Sequence, residues 1–168
     1  MDNLALIPAT MCLTKVVLAA GTTSTLSTTN AATYAIRGKL YVQSAAWLDE
    51  ATPTTDLNGN PFTPIPAGNG SVFVVGVDHS GNMKVSQGQI QALDSSGNFV
   101  VAPQFGSLGP DGSASTDGDF CPLAYVVVKA STGAANWTFG TSNFAGPPTD
   151  VTFSFQDVAT LPDRPQVA

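Results

Sequence analysis

The sequence predicts an all-β fold, an antiparallel β-sandwich or barrel-like domain with extended N- and C-terminal arms. Three observations support this prediction. Apolar residues occur in strand-length segments, several of which alternate with polar residues. Glutamate occurs only once, at Glu50, which disfavours a chain rich in solvated amphipathic helices. The pattern Asp-x-x-Gly-Asn occurs three times, and its turn chemistry joins antiparallel strands.

The candidate strands follow one another along the chain. They are residues 12–20, 34–45, 71–78, 83–93, 120–130, 136–140 and 151–158. Segment 71–78 is β-branched and aromatic throughout, so we expect it to be covered on both faces. Segment 120–130 is the strongest candidate for a central strand. The best helix candidate, residues 44–52, would make about two turns at most.

In the candidate strand at residues 34–45, apolar residues alternate with more polar ones. Within residues 34–45, the positions Tyr34, Ile36, Leu40 and Val42 alternate with more polar neighbours. Successive side chains of a strand point to opposite faces, so this pattern predicts one half-buried strand with a solvated side.

The repeated turn pattern occupies residues 56–60, 78–82 and 94–98. Asp at its first position caps the turn backbone, and Gly at its fourth position takes a positive φ and forms a bulge. The second copy lies between two candidate strands, which predicts a β-hairpin over residues 73–90. Calcium binding is the alternative, but the Gly is misplaced for an EF-hand loop and the final Glu is missing.

The chain is predicted to form one β-rich domain over residues 12–160, with arms at 1–11 and 161–168. Loops 48–70 and 104–119 are long, and such loops are usually functional or become ordered against a partner. The apolar residues of the arms must be covered, either by the domain itself or by a neighbouring subunit. The candidate interface residues are Leu4, Leu6, Ile7, Leu161, Pro162, Arg164 and Pro165.

The charge, the lengths of the apolar runs and the N-terminal residues disfavour several classes of function. The net charge is −6 with only six basic residues, which disfavours nucleic-acid binding because phosphate contacts need Lys and Arg. No apolar run approaches the roughly 18 residues of a membrane span, so no membrane partner is expected. The N-terminus lacks the cationic start of a signal peptide, which predicts synthesis and folding in a cytosol.

No catalytic or cofactor pattern is present in the sequence. We find no metal-ligand spacing of Cys and His, no phosphate-binding loop and no dinucleotide fingerprint. The single histidine, His79, falls in a predicted turn and is expected to be solvated. Asp111, Asp117 and Asp119 could hold calcium, but a solvated acidic loop is the favoured interpretation. We therefore predict no enzyme, no cofactor and no metal.

Two further residue types leave alternatives open. Cys12 and Cys121 are expected to be free thiols beside strand-like segments, with a disulfide as the alternative. Trp47 and Trp137 would stack on sugar rings if exposed, although burial in the core is the default for Trp137.

Four segments resemble small virion proteins of tailed bacteriophages, namely residues 14–41, 119–130, 136–144 and 155–166. The resemblance implies a non-enzymatic decoration or cement protein on the outer surface of the capsid. Its implied partners are the major capsid protein and further copies of itself, commonly as a homotrimer. It also implies synthesis in the bacterial host cytoplasm and a final location on the virion.

Two other functions remain open at this point. A tail tube or tail-fibre-associated protein would use a similar neutral β-rich surface. A glycan-binding β-sandwich adhesin would need an exposed aromatic ring.

The acidic balance suits an outer capsid position, because it disfavours contact with packaged DNA.

Overall fold

The computed structural model describes residues 10–108, 119–146 and 150–167. These residues form strands and no helix, so none of them belongs to a helix that could cross a membrane. The strands are β1 (Met11–Cys12), β2 (Leu18–Ala20), β3 (Thr25–Thr28), β4 (Thr33–Ile36), β5 (Lys39–Val42), β6 (Glu50–Ala51), β7 (Asn69–Val77), β8 (Met83–Gln87), β9 (Gln91–Ala92), β10 (Cys121–Ala130) and β11 (Val151–Asp157).

The strands form one large and two small antiparallel sheets. The five-stranded sheet has the order β11-β10-β7-β8, and β9 also pairs with β7. The small sheets have the orders β1-β4-β5 and β2-β3-β6. Residues from both small sheets share one apolar cluster with the large sheet, giving a sandwich-like arrangement. The predicted all-β antiparallel fold is confirmed.

The central strands β7 and β10 are covered on both faces. Phe73 and Val126 face the small sheets and the main cluster. Val74 and Tyr125 face the opposite way, into a second cluster closed by loop residues and the C-terminal segment. The expectation that segment 71–78 is covered on both sides is therefore confirmed, and burial of both faces explains its continuous apolar sequence.

The long loop 48–70 contributes to the core. Phe62 and Ile65 are buried, and Ile65 forms an isolated bridge with Trp137. Trp137 packs edge-on against Phe73 at 5.8 Å between ring centroids. The predicted strand 136–140 is thus reduced to a single bridge, but the expected burial of Trp137 is confirmed.

The three repeated turns have the same hydrogen bonds. In each copy the Asp side chain accepts bonds from the backbone N–H groups two and four residues later. The fourth residue is a glycine with φ near +80° in every case: Gly59, Gly81 and Gly97. The second turn joins β7 to β8, which confirms the predicted hairpin.

The structure corrects three local predictions. Residues 34–45 are not one strand, because Arg37 and Gly38 take positive φ values of 50° and 78° and reverse the chain between β4 and β5. Segment 12–20 is divided into β1 and β2 around Val17, whose φ is 56°. The helix candidate 44–52 is irregular and contains β6.

Candidate interaction surfaces

The C-terminal segment lies against the outer face of the large sheet. Leu161 packs against the second cluster, and Pro165 is buried. The Tyr125 hydroxyl accepts a hydrogen bond from the backbone N–H of Gln166 at 2.8 Å. This segment therefore folds back on its own domain, as one of the two alternatives for the arms predicts.

The four predicted interface residues of this segment differ in exposure. Leu161 and Pro162 are half-buried, Pro165 is buried, and Arg164 is exposed. Of these four, Arg164 is the one that is exposed to solvent. The N-terminal candidates Leu4, Leu6 and Ile7 lie outside the described residues.

The described chain begins beside the β4–β5 turn. The hydroxyl oxygen of Thr10 accepts a hydrogen bond from the backbone N–H of Arg37 at 3.1 Å. The next residues form β1, which pairs with β4 through Met11 opposite Ala35 and Cys12 opposite Tyr34. The chain therefore enters the β1-β4-β5 sheet at the end where the β4–β5 turn lies.

The side of the β1-β4-β5 sheet turned away from the core is apolar and uncharged. Cys12 and Tyr34 point into the main cluster, so their neighbours along each strand point outward. We call this side the outward face. It consists of Met11, Leu13, Thr33, Ala35, Leu40 and Val42.

Three large side chains of the outward face are exposed to solvent. Leu13 is 55% exposed, Leu40 59% and Val42 68%. Leu40 and Val42 lie on β5 opposite Ala35 and Thr33 of β4. Leu13 lies on the other side of β4, where its backbone N–H bonds to the Thr33 carbonyl. Contiguous exposed apolar side chains of this kind mark interaction sites more often than isolated ones do.

The single histidine is bound to a carboxylate. The backbone N–H of His79 donates to Asp119 Oδ1 at 2.8 Å, and Nδ1 of its ring bonds to Oδ2 of the same group. The hydrogen bond and the negative charge of Asp119 raise the pKa of His79 above its ordinary value. The side chain is exposed as expected, but it joins the β7–β8 turn to the residues before β10.

The acidic loop is only partly described. Asp111 and Asp117 lie outside the described residues, whereas Asp119 is bound to His79. Among the residues that the structure does describe, no group of three or more His, Cys, Asp or Glu side chains is placed to hold a metal ion.

The thiols and the indoles are part of the core. Cys12 and Cys121 are free and buried, and burial raises the pKa of both thiols, that of Cys121 to about 12. Trp47 is 7% exposed and Trp137 is fully buried. Neither indole presents a ring face on which a sugar could stack.

A shallow hollow of about 460 Å³ lies between β5 and the β7–β8 turn. Tyr34, Tyr41, Trp47, Glu50 and His79 are among its lining residues. The rings of Tyr34 and Tyr41 stack on each other at 5.6 Å, and the Lys39 ammonium lies 5.2 Å from the centroid of Tyr41. The two tyrosine rings of the hollow are therefore engaged in contacts within the chain.

Comparison with known proteins gives no relative for this chain. No protein-family model, no curated protein and no solved structure matches it.

Proposed function

We propose that the protein is a non-enzymatic virion protein of a tailed bacteriophage that binds the outer surface of the capsid and stabilises the shell. The observation that carries this proposal is the outward face, which presents Leu13, Leu40 and Val42 to solvent on a small sandwich. Such a face serves association between protein chains, as in an assembly of many copies on a capsid lattice. The resemblance of four segments to phage virion proteins is the reason for proposing that this association takes place on a phage particle.

The charge of the chain supports an outer position. The net charge is −6, and only 11% of residues are charged. An acidic protein is repelled by packaged DNA, while a surface rich in neutral polar groups allows close contact with several capsid subunits. Many weak contacts on a repeating lattice add up to strong attachment through effective concentration.

The exposed arm residue Arg164 supplies a charged contact to the major capsid protein. Because Leu161 and Pro165 pack within their own domain, they hold this segment in place. Arg164 then projects from a fixed segment, which lowers the entropy cost of binding.

The test is a comparison of phage particles made with and without the gene for this chain. Particles that lack the protein should release their DNA at a lower temperature, and adding the purified chain should restore the higher temperature. The purified chain should also sediment with the deficient particles. The proposal is contradicted if the deficient particles are equally heat-stable and do not bind the added chain.

A further inference from the structure

The outward face matches the size of an extended segment better than the size of the surface that a second folded domain would bury. With about 4.8 Å between strands and about 6.8 Å between alternate residues, its six side chains cover roughly 200 Å². A stable interface buries about 800 Å² on each partner. An extended segment of chain is an occupant of the right size, because four extended residues span about 14 Å, the width of three strands.

The chain contains a segment with the matching chemistry. Residues 4–7 read Leu-Ala-Leu-Ile and carry no charge. Two copies with a net charge of −6 repel each other, and contact between an uncharged segment and an uncharged face adds no further repulsion. We propose that residues 4–7 of one copy cover the outward face of a second copy.

The position of Thr10 favours a second copy over the segment's own domain. Thr10 is bonded to Arg37 at the turn end of the sheet, and the chain runs from there into β1. Only Pro8 and Ala9 separate Ile7 from Thr10. A two-residue reversal places the returning chain beside its own strand in the plane of the sheet, rather than above the face. Residues 4–7 can contact a second copy without any reversal of the chain direction.

This self-association does not depend on where the protein lies on the virion. In this proposal Leu4, Leu6 and Ile7 make the contacts between copies, and Arg164 makes the contact to the capsid. The two proposals can therefore fail separately, because one is measured on the purified chain alone and the other on phage particles.

Engineered cysteines test the contact directly, since Cys12 and Cys121 are buried and their thiols have raised pKa values. An isotopically heavy Leu6→Cys chain is mixed with a light Leu40→Cys chain under mild oxidation. We expect heavy–light disulfide dimers, identified by mass spectrometry. The matched control replaces Leu40→Cys by Val100→Cys, a 65% exposed position that is not on the outward face.

Two outcomes of this mixture would overturn the proposal. One is the absence of heavy–light dimers, and the other is equal yield with the Val100→Cys control. A Leu6→Cys/Leu40→Cys double variant decides which copy is covered. Intermolecular disulfides support the proposal, whereas a disulfide confined to single chains means that the segment covers its own domain.

Sedimentation equilibrium provides a second measurement with no cysteines added. We expect the wild-type chain to self-associate and the Leu40→Ser/Val42→Ser variant to do so about tenfold more weakly or less, because apolar contact area is lost. Val100→Ser/Val101→Ser is the matched control. A wild-type chain that stays monomeric at high concentration, or a face variant that associates equally well, contradicts the proposal.

Discussion

The Tyr34 hydroxyl donates a 2.9 Å hydrogen bond to the backbone carbonyl of Asp78. Tyr34 belongs to the β1-β4-β5 sheet, and Asp78 begins the turn that joins β7 to β8 in the large sheet. The bond therefore connects the two layers of the sandwich across the core. Burial of the hydroxyl raises the pKa of Tyr34 to about 12, so the bond persists through the ordinary pH range.

Replacing Tyr34 by Phe should lower the free energy of unfolding by about 1 kcal/mol, because the Asp78 carbonyl loses one of its two donors and keeps the backbone N–H of Gly81 at 3.0 Å. The measurement is urea unfolding followed by tryptophan fluorescence. Tyr41→Phe is the control, since its ring stacks on Tyr34 and its hydroxyl makes no hydrogen bond with the described residues. Equal effects of the two substitutions would contradict a role for the Tyr34 hydroxyl.

His79 should titrate above its ordinary pKa, because Asp119 stabilises the protonated ring. The pair stabilises the fold fully below the unfolded-state pKa of the histidine, and this contribution is lost as the pH rises through the higher folded-state pKa. As the only histidine, it gives a single imidazole proton resonance for the titration. Asp119→Asn should move the pKa down, and an unchanged pKa in that variant would contradict the contact.

Glycine at position 76 should tolerate no side chain. A methyl group there would overlap the Cys121 carbonyl oxygen and the ring of Phe120. Overpacking of this kind costs about 1–3 kcal/mol or more, since backbone of β10 must move. Thermal unfolding of Gly76→Ala against Gly97→Ala measures the difference.

Gly97 is a suitable comparison because a methyl group there would meet open space. Its φ of +78° makes the substitution strained, at a cost of about 1–2 kcal/mol. If Gly76→Ala were no more destabilising than Gly97→Ala, that result would contradict the close approach of β7 to β10 at Gly76.

The Asp94 side chain of the third repeated turn should make stability fall in acid. Bonds from the backbone N–H groups of Asn98 and Ser96 lower the pKa of Asp94. Its stabilisation is present above the unfolded-state pKa and is lost as the pH falls through the lower folded-state value. Carboxyl carbon NMR should show Asp94 titrating below a free aspartate, and Asp94→Ala should lower the urea midpoint at neutral pH but not at low pH.

Arg164→Glu should weaken binding to capsids that lack the protein, without changing the thermal unfolding temperature of the isolated chain. The side chain is exposed, so the loss of binding would arise from charge rather than from the fold. Asp163→Lys, at the neighbouring exposed position, is the matched control. If both variants bind capsids as the wild type does, the C-terminal segment is not part of the capsid contact.

The sequence predicts the central strands and the turns better than it predicts the outward face. Continuous burial explains β7 and β10, and the Asp-x-x-Gly-Asn pattern specifies its own hydrogen bonds. The β4–β5 hairpin was missed because Arg37-Gly38 lacks the usual Asn-Gly signal and the alternation runs on past it.

The missed turn also explains the missed surface. A two-residue turn pairs Ile36 with Lys39, so Leu40 lies opposite Ala35 and faces outward. Without the turn, the same alternation places Leu40 and Val42 in the core. The exposure of the outward face therefore depends on the conformation of two residues, which hydrophobic periodicity cannot detect.

The location of the protein on intact particles tests the central claim most directly. Antibodies to the chain, detected with gold under the electron microscope, should label the head of the phage over its whole surface. Label confined to the tail, or absence of the chain from immunoblots of purified and denatured particles, would contradict the proposed role as a capsid decoration protein.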